Sequence, residues 1–149
     1  MYQRILLPTD GSRYSEAAIP HGLHLAKLLD VSVVLLYVLE EVLPSLVVTS
    51  PAVLTQEFID EYERRLRQAG EEALDRAQQQ AMEVGVNIER KLVRGSPALA
   101  ILAEAMPTDL IVMGTHGRNS LAAFVLGSVT LRVMHEAPCP VLAVPSHHH

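Results

Sequence analysis

Continuous apolar runs alternate with helix-period stretches along the whole chain. Ile5-Leu6-Leu7-Pro8 reads as a short buried strand that Pro8 helps close. Ser12 is placed to cap a helix running to about Leu29, with Ala17, Leu25 and Leu28 on one side. Pro20 falls inside that helix and, by removing one ladder donor, predicts a bend. Val33 to Val38 reads as a second buried strand. Over 56–84, Ile59, Tyr62, Leu66, Ala69, Ala73, Ala77 and Ala81 recur at steps of three and four, which predicts a long amphipathic helix. Gly70 in its middle costs roughly 1 kcal/mol against alanine.

The next strand, Val86 to Val93, has a different pattern. Asn87, Glu89 and Lys91 alternate with Val86, Ile88 and Leu92, and Arg90 breaks the apolar series. A charged, alternating strand belongs at an exposed sheet edge. Ser96-Pro97 reads as the N-cap and first residue of a helix to about Ala105. Leu110 to Met113 is the fourth strand, Gly127-Ser128 opens the last helix, and Pro140 to Val144 is the fifth strand.

This alternation predicts an α/β fold: a single doubly wound domain over 1–146, with a five-stranded parallel sheet, helices on both faces and right-handed crossovers. Four strands are apolar throughout and only the third resembles an ordinary edge, so the strand order 3-2-1-4-5 is expected. That order puts the topological switch between strands one and four, where open α/β sheets bind ligands. The fifth strand becomes the opposite edge, yet Val141-Leu142-Ala143-Val144 carries no charge and no bulge signal. Such an edge needs cover, and a second copy pairing through 139–145 would supply it as a homodimer. The connection Glu40 to Thr55 is too long and too apolar for a plain surface turn. It reads as a lid over the site, a dimer contact or an ordered loop on its own domain.

Composition narrows the function classes. Apolar residues make up 49% of 149, ample for one core. Aromatics are 4%, Trp is absent, the net charge is −5 and no Lys/Arg stripe forms, which argues against nucleic acid or an anionic membrane as partner. No apolar stretch approaches the ~18 residues of a spanning helix, and Met1-Tyr2-Gln3-Arg4 lacks a signal-peptide layout. The single Cys139 cannot form an internal disulfide and points to a reducing, cytoplasmic compartment. His147-His148-His149 read as residues of an expression tag.

The candidate chemistry lies between strands four and five. Gly114 ends an apolar run, Gly117 follows, and Gly127-Ser128 opens a helix, giving the spacing Gly-x2-Gly-x9-Gly-Ser. Bare backbone N–H groups, the Ser128 hydroxyl and the positive end of a helix dipole suit a phosphate cradle. The alternative is that the glycines only serve tight turns. Asp10 stands just past strand one, either at the ligand or as a capping residue of an Asp-Gly turn. His116 sits between two glycines, as a phosphate donor or an exposed loop histidine, and Arg118 is placed to neutralise a terminal phosphate. His21 and His24 lie one helical turn apart without further ligands in view. Cys139 reads as a packing thiol.

With this glycine spacing, the chain resembles the ATP-binding subgroup of the universal stress protein family. The likeness extends through Arg4-Ile5-Leu6-Leu7-Pro8-Thr9-Asp10-Gly11-Ser12, Leu36-Tyr37-Val38, Gly95-Ser96-Pro97, Asp109-Leu110-Ile111-Val112-Met113-Gly114 and Ala137-Pro138-Cys139-Pro140-Val141. The resemblance implies ATP, with Mg (or Mn) accompanying the nucleotide. It puts Asp10 near the ribose and the metal-bound phosphates, with Pro8 and Thr9 on the sugar side. It sets Val38 against adenine through backbone groups, Met113 on the other side of the pocket, and Val129 and Thr130 near the phosphates. The family reading is a nucleotide-dependent sensor, a homodimer that signals to an unknown regulatory protein partner.

The chain has no Gly-x4-Gly-Lys-Ser/Thr loop and no Ser-Gly-Gly-x-Asp-Ser loop. No nucleophile, base and acid set assembles from the motif, so no catalytic residue is assigned. The alternatives are a slow ATPase, a protein that phosphorylates itself on Ser128, Thr130 or Ser120, and a dimeric interaction module holding AMP, ADP or no nucleotide.

Overall fold

A computed structural model of the chain describes residues 1–40, 55–117 and 126–146. Within them β1 (Arg4–Thr9), β2 (Ser32–Leu39), β3 (Ile88–Arg94), β4 (Asp109–Gly114) and β5 (Val141–Val144) form one sheet. The helices are α1 (Arg13–Glu16), α2 (Ala18–Leu29), α3 (Gln56–Val84), α4 (Pro97–Glu104) and α5 (Ser128–Glu136). The strands run parallel in the order β3-β2-β1-β4-β5, as the apolar patterning predicts. Of the connection Glu40 to Thr55, residues 41–54 lie outside the described residues, as do 147–149.

The two-residue period of the central strands sorts the core into two layers. Ile5 and Leu7 of β1 join Val33, Leu35 and Tyr37 of β2 under α2 and α3. Leu6 joins Val34, Leu36, Val38, Ile111 and Met113 under α4 and α5. Because these strands are covered on both faces, they read as unbroken apolar runs.

Two local expectations need refinement. Pro20 does not bend one continuous helix: the helix is divided one turn upstream, at Ala17, into α1 and α2. Proline at 20 has no N–H for the carbonyl of Glu16, so the ladder lapses there, and Pro20 itself sits in the first turn of α2, where no donor is needed. Gly70 has a packing reason: a Cβ there would lie 2.9 Å from Leu92 and from the Tyr37 ring. The helix gives up propensity at that point so that the largest fully buried side chain can lie beneath it.

The charges of β3 are not simply solvated. Arg90 reaches α3, with Nη2 2.7 Å from Glu71 Oε2 and Nη1 2.8 Å from Gln78 Oε1. Lys91, pointing the other way, donates to Glu104 Oε1 of α4 at 2.7 Å. Alternate charged residues therefore clip the edge strand to the helices above and below it. At the opposite edge Leu142 is 39% exposed, whereas Val144 is buried in the α2/α3 layer.

The end of the sheet where β1 and β4 begin is locked by a charged pair. Arg4 Nε donates to Asp109 Oδ1 at 2.7 Å and Arg4 Nη2 to Oδ2 at 3.0 Å. Asp109 is fully buried, and its Oδ2 also accepts from the Met106 N–H at 2.8 Å. This partner holds the Arg4 guanidinium above its ordinary pKa range.

Candidate functional site

The site is built where β1 and β4 end side by side. After Thr9 the chain turns through Asp10, Gly11 and Ser12 into α1, and Gly11 takes the left-handed conformation with φ 78°. Ser12 caps α1 by accepting from the Ser15 N–H at 3.3 Å. The Asp10 carboxylate is held within this turn: Oδ1 accepts from the Ser12 N–H at 2.9 Å and from the Ser15 hydroxyl at 2.8 Å. Asp10 therefore closes the Asp-Gly turn with its side chain, while Ser12 is the cap of α1. Its other oxygen, Oδ2, faces the glycine loop, 3.0 Å from where a Cβ on Gly117 would stand.

The three motif glycines are not turn residues in the conformational sense. Gly11, Gly85 and Gly95 are the glycines with positive φ among the described residues, and Gly114, Gly117 and Gly127 are not among them. Each motif glycine permits a close approach instead. A Cβ on Gly114 would lie 2.4 Å from the carbonyl oxygen of Tyr14, so α1 rests directly on the end of β4. A Cβ on Gly127 would meet His116 Cα at 3.2 Å and the Thr115 oxygen at 3.3 Å. Gly127 N–H donates to that same oxygen at 2.8 Å. The spacing thus packs four segments together: the Asp10 turn, α1, the 114–117 loop and the start of α5.

Helix α5 opens on Gly127, which has no side chain to cap it. The Leu131 N–H closes the first helical bond to the Gly127 carbonyl at 2.9 Å. The amides of Ser128, Val129 and Thr130 precede that bond and have no carbonyl one turn back within the helix, so they form its anion-attracting end. Ser128 is exposed. Thr130 is buried and its hydroxyl donates to the Gly114 carbonyl at 2.9 Å, pinning the helix start to β4. The hydroxyl of Thr130 is thus committed to the fold, leaving its backbone for any phosphate role.

Val38 and Met113 lie in one apolar layer, with Val129 packed against it. Pro8 is buried in β1 opposite Leu36, and Thr9 is buried beside it. The hydroxyl of Thr9 bonds Ser15 Oγ at 3.0 Å and accepts from the Gly11 N–H at 3.1 Å. His116 Nδ1 is 2.9 Å from Thr115 Oγ1, and its ring lies 5.5 Å from that of Tyr14 between centroids. The Arg13 guanidinium in turn lies 5.0 Å from the centre of the Tyr14 ring. A neighbouring hydroxyl and a ring therefore both bear on the orientation of this histidine. Arg118 and Ser120 lie outside the described residues.

Ser15 and Tyr14 are absent from the sequence-based set. Ser15 has a local signal in Asp10-Gly11-Ser12-x-x-Ser15, a pattern of short hydroxyls that bond back to a turn. Tyr14 has none, because its importance comes from a backbone contact to a residue a hundred positions away in sequence. Away from the site, His21 and His24 are both exposed on α2, and among the described residues no three His, Cys, Asp or Glu side chains form a metal-holding group. Cys139 packs against the α4/α5 layer, and burial pushes its thiol pKa up.

Comparison with known proteins agrees with this architecture. The model of the universal stress protein family matches residues 1–145. Universal stress protein MJ0531 of Methanocaldococcus jannaschii is 41% identical over 146 residues, covering 97% of this chain and 82% of that protein. The solved structure of MJ0577, from the same organism, superimposes with a TM-score of 0.81 at 30% identity, covering 100% of this chain and 99% of the other. A universal stress protein family member from Arabidopsis thaliana, solved with AMP bound, shares the fold with a TM-score of 0.66 at 16% identity, covering 97% of this chain and 92% of that one.

Proposed function

The chain belongs to the universal stress protein family, and from that premise we propose that it is a cytoplasmic, ATP-binding regulatory homodimer. The observation that carries the reading is the start of α5. A helix N-terminus whose N-cap residue, Gly127, brings no capping side chain is drawn against the 115–117 backbone, next to the Asp10 turn. Backbone N–H groups and a helix dipole favour a phosphate chain there. The Val38, Met113 and Val129 layer offers an apolar neighbour for a base. The family member with AMP bound is consistent with an adenine nucleotide as ligand.

The Asp10 carboxylate bears on what accompanies the nucleotide. A carboxylate facing the glycine loop repels phosphate unless a cation or a ribose hydroxyl lies between them. We therefore propose Mg (or Mn) accompanying the nucleotide, with Asp10 near the ribose and the metal-bound phosphates rather than as an assigned metal ligand. His116 and Arg118 remain candidate phosphate contacts. Nucleotide would change the surface presented to a regulatory protein partner. Among the described residues no helix is long and apolar enough to cross a membrane.

Thermal unfolding with added nucleotide tests the reading. Millimolar Mg-ATP is expected to raise the melting temperature and GTP to raise it much less. Equal shifts with both, or none with either, would overturn it. Small molecules released on denaturing freshly purified protein should include an adenine nucleotide. ATP should survive many minutes at micromolar protein, since turnover near ~1 s⁻¹, ordinary for an enzyme, would replace a binder with a catalyst.

A further inference from the structure

The turn after β1 contains a directional chain of hydrogen bonds ending on Asp10. Thr9 Oγ1 accepts from the Gly11 N–H at 3.1 Å and is 3.0 Å from Ser15 Oγ. Ser15 Oγ also accepts from the Asp10 N–H at 3.2 Å and lies 2.8 Å from Asp10 Oδ1. A hydroxyl has one proton to give. The carboxylate is the shortest and most strongly accepting partner of Ser15, so the Ser15 proton goes there. The bond between the two hydroxyls must then be donated by Thr9. The chain runs from Gly11 N–H to Thr9, from Thr9 to Ser15, and from Ser15 to the carboxylate, and each link polarises the next.

Ser15 is buried, 7% exposed, on an α1 whose backbone rests against Gly114. Its Oγ thus fixes the carboxylate relative to β4 as well as to its own turn. With Oδ1 held by Ser15 and the Ser12 N–H, the plane of the carboxylate is set and Oδ2 is turned toward Gly117. We propose that Ser15 is a positioning residue of the nucleotide site: through this hydroxyl it aims Asp10 at the glycine loop, and so sets affinity for the metal–nucleotide complex without touching the ligand. The proposal rests on the nucleotide reading above.

Calorimetric titration of the full chain with Mg-ATP tests it, using wild type, Ser15→Ala, Asp10→Asn and the double variant. Ser15→Ala should fold and melt cooperatively while binding about tenfold more weakly, the scale of a lost hydrogen bond to a charged group. In the Asp10→Asn background the same change should cost less than about twofold, because residues acting as one unit are not additive. Thr9→Val, which breaks the chain one link upstream, should cost less than Ser15→Ala, and Ser15→Thr, which keeps the hydroxyl, should restore most of the affinity. Without nucleotide, Ser15→Ala should also shift the Ser12 and Gly117 amide resonances. Wild-type affinity in Ser15→Ala, or equal losses in both backgrounds, overturns the positioning role alone. A wild type that takes no Mg-ATP overturns the nucleotide reading and this proposal together.

Discussion

A Cβ on Gly114 would stand 2.4 Å from the carbonyl oxygen of Tyr14, closer than any side chain can approach. The first glycine of the phosphate-like motif is therefore demanded by the protein's own backbone. Gly127 differs, since its nearest contact would be 3.2 Å and its φ of −61° suits any residue. The two substitutions should separate fold from ligand. Gly114→Ala is expected to destabilise by about 1–3 kcal/mol or more, the range for forcing extra atoms into a packed region. Gly127→Ala should stay within about 1 kcal/mol of wild type yet lose most nucleotide affinity. Urea unfolding and nucleotide titration of both variants check this. Equal stability losses would remove the distinction.

The Arg4–Asp109 pair gives a second prediction, at the end of the sheet remote from the site. Asp109 is fully buried and bonded by two guanidinium nitrogens and a backbone amide. Arg4→Ala would strand that carboxylate, a loss of about 3–5 kcal/mol. Replacing both partners by apolar residues of similar volume, as in Arg4→Met with Asp109→Leu, should cost less than the single change. Nucleotide binding by the folded fraction should be unaffected. Chemical denaturation of the three proteins decides it.

The sheet was legible because its signal is local. Ile5 to Pro8 and Val33 to Val38 are apolar throughout, as strands covered on both faces must be, and β3 alone alternates with charge. The span of α3 was legible from its apolar period, whereas its caps come from the structure: Thr55 accepts from the Phe58 N–H at one end and Gly85 takes a left-handed φ of 73° at the other. The break at Ala17 was only half legible. Proline is visible in sequence, but the interruption falls on the carbonyl one turn before it. The candidate site is visible in the sequence as a spacing and not as a set of contacts. Nothing in Gly114 names Tyr14, and nothing in Asp10 names Gly117, because those approaches arise only when β1 and β4 lie side by side. Ser96 shows the opposite failure: it occupies the N-cap position of α4 as expected, but its hydroxyl makes no capping bond.

Cys139 yields a pH prediction. Burial, the largest cause, raises its thiol pKa in the folded chain. The folded state therefore holds the proton more tightly than the unfolded state. This contribution to stability is complete below the unfolded thiol value, about 8.5, and is lost as pH rises through that value toward the higher folded one. Stability measured from pH 7 to 10 should fall more steeply for wild type than for Cys139→Ala. Iodoacetamide at pH 8 should alkylate the native thiol more slowly than the unfolded one. Parallel pH curves for the two proteins would contradict the assignment.

The edge at β5 is the remaining test, and the structure decides which residue to use. Val144 is 6% exposed and packed in the α2/α3 layer, so a lysine there would damage the core and report nothing about assembly. Leu142 is 39% exposed on a strand bonded on one side to β4, with no other strand beside it among the described residues. If a second copy pairs along this edge, Leu142→Lys places like charges near the twofold axis and blocks pairing. The wild type is expected to be a dimer at tens of micromolar by light scattering with size exclusion, and Leu142→Lys a folded monomer. Leu28→Lys, a change of the same kind at a side chain 68% exposed on α2, should leave the dimer intact. A monomeric wild type, or a dimer untouched by lysine at 142, would exclude β5 as the interface.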